Sequence, residues 1–464
     1  MCYDKPDYEG GRPARPGQNP PAPSGARARV FKVIDLELIQ WIVLLNVCLA
    51  VLFGVAYFYQ LVYLVIGLAG RLRRRPRQRG EAPLHRYAAV VAARNEAGVI
   101  GELLRTLREQ KYPAEMLDLY VIADNCTDDT AQVATQAGAT VYRRFNRVRK
   151  GKGYALDEFF RWLAREGRDR YDAYLIFDAD NLVDPNFVGE MNRVFATGKY
   201  DAITSYRNSR NFGTNWISAG YALWFLREAR FLSAPRMALG SNCHVSGTGF
   251  LVSARTIREN GGWPFHLLTE DIQFSVDCAV RGRRIGYCDR AVIYDEQPTT
   301  FRQSLDQRLR WSKGFYQVEA QYTLPLLRGM ARGGRRGWAC YDMLMTVAPG
   351  MLLTLAVLLF NLLVCGAVLF EPTYVARQVV AVALDFLWSM VSGFYVGLFL
   401  YGLLTTLTEW RQIHAGTGKK ILSLFTFPLF MFTYVPISLA ALVKRVEWKP
   451  IYHTGGKKMA RELP

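Results

Sequence analysis

An α/β domain with a parallel sheet, set between membrane-spanning helices, is the fold class that this 464-residue sequence predicts. Three observations carry the prediction. Between residues 87 and 177, short apolar runs alternate with helix-period stretches, the pattern of strands joined by crossover helices. Carboxylates cluster where those runs end, which in a parallel sheet is the side that holds a ligand. Long uncharged apolar blocks stand before and after this region, so the hydrophobic half of the chain is segregated rather than mixed with the charged fifth.

Residues 1–29 are rich in Pro, Gly and Arg and predict a disordered leader. Leu38 to Gly70 is uncharged over 33 residues, against the roughly 20 that cross a bilayer as a helix, so residues 30–71 predict one overlong or tilted N-terminal transmembrane helix. The length of the polar leader and of the apolar run argues against a cleaved signal peptide. Arg71-Leu72-Arg73-Arg74-Arg75-Pro76-Arg77-Gln78-Arg79 follows directly and places what comes next in the cytoplasm, against anionic lipid.

Tyr87–Ala93, Leu119–Ala123, Ala139–Tyr142 and Ala173–Phe177 predict four strands, within a cytoplasmic domain over residues 80–320. Gly213 to Ala238 alternates aromatic and charged residues and predicts an amphipathic helix. Core packing and a membrane-surface or acceptor-groove role account equally well for its aromatics. Residues 321–342 form an interfacial connection and 343–443 the C-terminal membrane helices. Of these, Met343–Phe370 and Gln378–Leu407 are the clear spans, and Ile421–Val443, with Pro428 and Pro436, reads as a span or as a broken, re-entrant or surface-lying segment. The basic tail over 444–464 favours the inside, whereas three C-terminal spans would put it outside.

The excess of 58 Lys and Arg over 40 Asp and Glu, a net charge of +18, fits anionic lipid or a phosphorylated substrate. No nucleic-acid module accompanies it. Eight cysteines are scattered without paired spacing and read as buried thiols of a reducing compartment.

Asp178-Ala179-Asp180 follows an apolar run directly. Side chains two apart share a side, so both carboxylates can face one magnesium or manganese ion that also takes substrate phosphates. Asp124 ends the preceding strand, where it could accept from a base or ribose, and Asp128 suits the cap of the next helix. The basic, glycine-containing stretch Arg149 to Gly153 suits close approach to a diphosphate, or is a solvated turn. Glu270 and Asp271 open a helix, as a favourable cap or as a catalytic base. His244 reads as structural.

Taken in order, Ala93-Arg94-Asn95-Glu96, Asp124, Lys152, Asp178-Ala179-Asp180, Ser246-Gly247-Thr248-Gly249-Phe250, Thr269-Glu270-Asp271 and Gln307-Arg308-Leu309-Arg310-Trp311 resemble the membrane-embedded family 2 glycosyltransferases, among them hyaluronan, chitin, cellulose and poly-N-acetylglucosamine synthases. The resemblance implies a GT-A-like nucleotide-sugar fold and a UDP-sugar donor. It implies that Asp124 contacts the uridine, with Lys152, Asp178 and Arg310 on the donor. Asp180, helped by Asp178, would hold magnesium or manganese. Asp271, beside Glu270, would be the general base, and Gln307 and Trp311 would line the acceptor side. One base without a nucleophilic carboxylate implies inversion. In this chain Ala123 stands where the family usually has the first Asp of a pair, and Asn125-Cys126 replace its common Gly-Ser. The implied product is a β-linked polysaccharide threaded through the membrane helices, with few helices per chain pointing to a homo-oligomer as the conduit. The competing reading is a single sugar placed on a membrane lipid, as by the ceramide glucosyltransferases, and a non-catalytic scaffold ranks below both.

Overall fold

The computed structural model describes residues 25–72, 82–347, 349–367 and 373–446. Eight strands form one sheet: β1 Tyr87–Ala93, β2 Leu117–Asp124, β3 Thr140–Arg144, β4 Ala173–Asp178, β5 Leu182–Val183, β6 Ala202–Ser209, β7 Phe250–Ser253 and β8 Ile285–Asp295. Their order is β3-β2-β1-β4-β7-β6-β8-β5. The first four strands pair in parallel, as the sequence predicts. In β1, Ala88 and Val90 enter one core and Tyr87, Ala89, Val91 and Ala93 the other, which is why this strand is a continuous apolar run.

The sheet as a whole is mixed, which corrects the purely parallel expectation. β7 runs antiparallel to both β4 and β6. The turn before it, with Gly247 and Gly249 at positive φ, lays the chain back along β4, and the Gly249 N–H donates to the Ile176 carbonyl at 2.8 Å.

Helical residues 216–239 run without a break through a π-helical turn, Ala229–Ser233. Tyr221, Phe225 and Phe231 are buried, so this segment is an interior element rather than an amphipathic surface helix. The helix Thr417–Phe432 packs against it, and Phe430 sits where a side chain on Gly220 would be.

The first helix begins at Gly25, inside the stretch read as leader, and residues 1–24 lie outside the described residues. It breaks at Phe58 and resumes as Tyr59–Leu72, so the overlong apolar segment is two helical pieces. Most of the arginine block after it also lies outside the described residues. Among the described residues, three segments are long and apolar enough to cross a membrane: Gln40–Gly70, Ala376–Thr408 and Thr417–Val443.

The block from Met343 to Phe370 is not one continuous span. Met343, Leu344 and Val347 belong to the helix Gly334–Val347, packed on the α/β domain, and the apolar helix Pro349–Ala367 follows. A fully buried ion pair between Arg236 and Asp342, at 2.7 Å, ties that packed helix to the domain. Thr417–Val443 is long enough to span, but it is broken at Thr433 between Thr417–Phe432 and Tyr434–Val443. The described part of the basic tail ends at residue 446.

Four of the seven described cysteines are buried, while Cys48 is exposed on the first helix and Cys126 and Cys365 are half-buried. The uniform expectation of buried thiols is corrected to that extent, because Cys48 stands on the outer face of an apolar span.

Candidate active site

β2 and β4 end at Asp124 and Asp178, neighbours at the C-terminal edge of the sheet on either side of β1. A cavity of about 1620 Å³ opens there. Asp124, Lys152, Asp178, Asp180, Glu270, Asp271, Gln307, Arg310 and Trp311 all line it. The residues singled out from the sequence are thus brought together by two strand ends, those of β2 and of β4 with the turn after it, and by three helices, Lys152–Arg165, Glu270–Arg281 and Phe301–Met330. The cavity continues away from the sheet to Phe53, Tyr57 and Gln60 of the first apolar segment and to Leu355 and Phe394 of later ones.

Asp124 is buried, and burial raises its pKa while Arg144 opposes the rise. β2 and β3 place Asp124 and Arg144 opposite each other in parallel register, and the Arg144 guanidinium meets Asp124 Oδ1. Glu158 holds the far side of the same guanidinium at 2.8 and 3.0 Å. Asn125 takes a left-handed φ of 53°, which Asn tolerates, and its Nδ2 donates to Asp124 Oδ1 at 2.8 Å. Asp128 accepts the Thr130 N–H at 3.1 Å at the start of the next helix, the capping role its position suggests.

Lys152 begins the helix Lys152–Arg165 directly after Gly151, at φ 121°. Its Nζ reaches Asp178 Oδ1 and donates to the Gly247 carbonyl at 2.7 Å. Burial works against the Lys152 ammonium, but Asp178, Glu270 and Asp271 outweigh it and hold its pKa above the ordinary lysine value. The Asp178 N–H donates to Thr248 Oγ1 at 2.8 Å, and Thr248 in turn holds Asn181, so the Ser246–Gly249 turn buttresses the Asp-Ala-Asp segment.

Among the described residues, no group of three or more His, Cys, Asp or Glu converges as a metal cage. The donor set nonetheless suits a hard cation. Asp178 and Asp180 offer oxygen ligands on one cavity wall, and a magnesium or manganese site completed by waters and substrate phosphates needs few protein ligands.

Glu270 and Asp271 form the first turn of the helix Glu270–Arg281. The Thr269 side chain makes no cap there, so the carboxylates stand at a helix N-terminus beside Lys152. Burial and the neighbouring Asp271 push Glu270 up to about 7. Burial also raises Asp271. Gly247, at φ 82°, keeps the space beside Asp271 open, since a Cβ there would lie 3.4 Å from Asp271 Oδ2.

The helix Phe301–Met330 presents Gln307, Arg310 and Trp311 to the cavity. Burial lowers the Arg310 pKa, opposed by Glu270, Asp178 and Asp271, and its Nε is buried without a partner. Gln307 Oε1 is likewise unpartnered. Such groups invite a ligand, because an unmet buried polar atom is costly. Trp311 stacks edgewise on Tyr221 and Phe225 at 5.7 and 6.3 Å.

Residues 85–314 match the family described as "Glycosyltransferase like family 2". They form a glycosyltransferase family 2 domain. Relatives of the glycosyltransferase domain include two different kinds of synthase. A beta-monoglucosyldiacylglycerol synthase from Synechocystis is 25% identical over 245 residues, 52% of this chain and 50% of that protein. A poly-beta-1,6-N-acetyl-D-glucosamine synthase from Staphylococcus epidermidis is 23% identical over 232 residues, 49% of this chain and 54% of that protein. The chain spans about half the length of the curated relatives it matches. A mannosyltransferase from Pyrobaculum calidifontis, solved with GDP-Man and Mn2+, shares the fold with a TM-score of 0.51 at 16% identity, over 86% of this chain and 99% of that one. The fold is GT-A-like.

Several residues of the glycosyltransferase site escape a reading of the sequence. Arg144 is one, since nothing in the pair Arg143-Arg144 marks which arginine turns inward. Glu228 is another: it meets His244 Nε2 at 2.6 Å while His244 Nδ1 meets Arg236 at 2.8 Å, so the histidine is held structurally on the cavity wall, the role its sequence reading gives it. Arg207 and Asp295 pair across β6 and β8 in the same wall. The wall formed by Phe53, Tyr57 and Gln60 has no sequence signal at all, as it depends on how the first apolar helix docks.

Proposed function

We propose that this chain is an inverting glycosyltransferase of the cell membrane, its catalytic domain cytoplasmic, that moves one sugar from a UDP-sugar to the hydroxyl of a membrane lipid. The observation that carries the reading is the single cavity running from Asp124 and Asp178 past Asp271 to Phe53, Leu355 and Phe394. Apolar walls suit acyl chains. A polysaccharide carries hydroxyls along its whole length, and each would need a partner to replace water.

In this reading Asp271 takes the proton of the acceptor hydroxyl as the oxygen attacks the anomeric carbon. The raised pKa of Glu270 lets that residue carry a proton near neutrality, which relieves repulsion within the pair. Lys152 and Arg310 face the same carboxylates and would compensate the negative charge that grows on the departing diphosphate. Asp178 and Asp180 would hold magnesium or manganese, which when bound supplies further positive charge to the diphosphate. Trp311 and Gln307 bound the acceptor side. Direct displacement inverts the anomeric centre, giving a β-linked product from an α-linked donor.

The second reading, a processive β-polysaccharide synthase, is supported by the poly-N-acetylglucosamine synthase relatives and by aromatic Trp311, which would pack on a sugar ring. Purified protein given UDP-sugars, Mg2+ or Mn2+ and membrane lipid separates the two. A glycolipid bearing one sugar supports the first, and a ladder of long chains supports the second.

A further inference from the structure

Asp124 presents only one of its two carboxylate oxygens to a nucleotide. Oδ1 already receives two donors, Arg144 Nη1 and Asn125 Nδ2. Each carboxylate oxygen has about two lone-pair sites, so Oδ1 is filled. Both donors are locked in turn. The Arg144 side chain is almost completely buried, and besides Glu158 it donates to the Arg149 carbonyl. Asn125 Oδ1 accepts the Asn146 N–H at 2.9 Å, and Asn146 Oδ1 accepts the Arg149 N–H at 2.9 Å, so the loop leading to Lys152 rests on the same two side chains.

We infer that Arg144 and Asn125 are specificity-determining residues that restrict the base subsite to a ring edge with a single donor. Uracil offers one N–H between two carbonyls, which a lone Oδ2 can accept. Guanine offers N1–H and N2–H side by side, and pairing both requires two free carboxylate oxygens. A guanine at this site would leave a buried donor unpaired, the situation in which polar sites discriminate most strongly. The Asn125 side chain is what adds the second donor to Oδ1. The inference rests on the proposed nucleotide-sugar site.

Titration calorimetry of the full chain in detergent with Mn2+, using UDP and GDP as probes, tests it. The parent should bind UDP at least tenfold more tightly than GDP. Asn125→Gly, which keeps the left-handed backbone accessible and removes one donor to Oδ1, should narrow that ratio several-fold. Equal binding of UDP and GDP by the parent overturns the inference while leaving the nucleotide-sugar reading intact, as does a ratio unchanged in Asn125→Gly with both nucleotides still bound. Binding of neither nucleotide to the folded parent overturns the proposed site and the inference with it.

Discussion

Arg308 donates to the Thr433 hydroxyl and, at 3.2 Å, to the Phe430 carbonyl, joining the helix that carries Gln307, Arg310 and Trp311 to the break in the third candidate span. The guanidinium is fully buried, and the rings of Phe430 and Tyr434 lie 4.5 and 5.0 Å from it. A cation at the C-terminal end of Thr417–Phe432 meets carbonyls that the break leaves without helical partners, and it favours the helix dipole. The helix lining the candidate site and this apolar segment are therefore joined directly through one buried side chain.

Arg308→Met should loosen this joint. The lost charged hydrogen bonds give an expected destabilisation of about 2–4 kcal/mol, read as a lower unfolding temperature in detergent. UDP affinity should change less than the acceptor KM, because Asp124 and Lys152 lie on other elements.

Asp342→Asn should cost about 3–5 kcal/mol, because it leaves Arg236 charged and buried without its partner. The double variant Arg236→Met/Asp342→Leu should recover much of that loss. Thermal unfolding of the single and double variants checks it. Tyr63 also donates to Asp342, at 2.8 Å, so the single variant should loosen the first apolar segment as well.

The pH dependence of stability has a defined sign at Glu270. Its pKa in the folded protein is raised to about 7 from 4.5, by burial first and by Asp271 second. Such a group contributes stability that is present below its unfolded pKa and lost as pH rises through about 7. Glu270→Gln should therefore unfold at nearly the parent temperature near about pH 5 and at a higher temperature than the parent near about pH 8. An unchanged difference across that window would contradict the buried-carboxylate assignment.

Trp311→Ala should raise the acceptor KM about tenfold or more with little change in UDP affinity, a split that steady-state kinetics and calorimetry together resolve. Its ring lines the cavity and packs edgewise on Tyr221.

The strand β1 was legible to the residue, because burial on both faces demands an unbroken apolar run. β5, β6, β7 and β8 are not legible in the sequence, and β7 shows why: it is only four residues long, and its antiparallel placement follows from the positive-φ glycines before it. The candidate site was legible where short motifs fall at strand ends, as at Asp124 and Asp178. It was not legible where a partner arrives from far along the chain. Arg144 meets Asp124 only through strand register, and Phe53 meets the cavity only through helix docking. The break at Thr433 had a local hint in Pro428 and Pro436, yet Arg308, 125 residues earlier, is what holds it.

The role of Asp271 can be isolated from binding. Asp271→Asn should lower transfer by at least about a hundredfold, the usual worth of a positioned base, while UDP affinity stays within a few-fold of the parent. Full activity in that variant would remove Asp271 as the base.

The most direct test of the central claim is the size and chemistry of the product. Purified full-length protein in lipid nanodiscs, supplied with UDP-sugar and Mg2+ or Mn2+, should convert membrane lipid to a species heavier by one hexose or N-acetylhexosamine, read by mass spectrometry. A ladder of long sugar chains with no glycolipid would contradict a lipid acceptor.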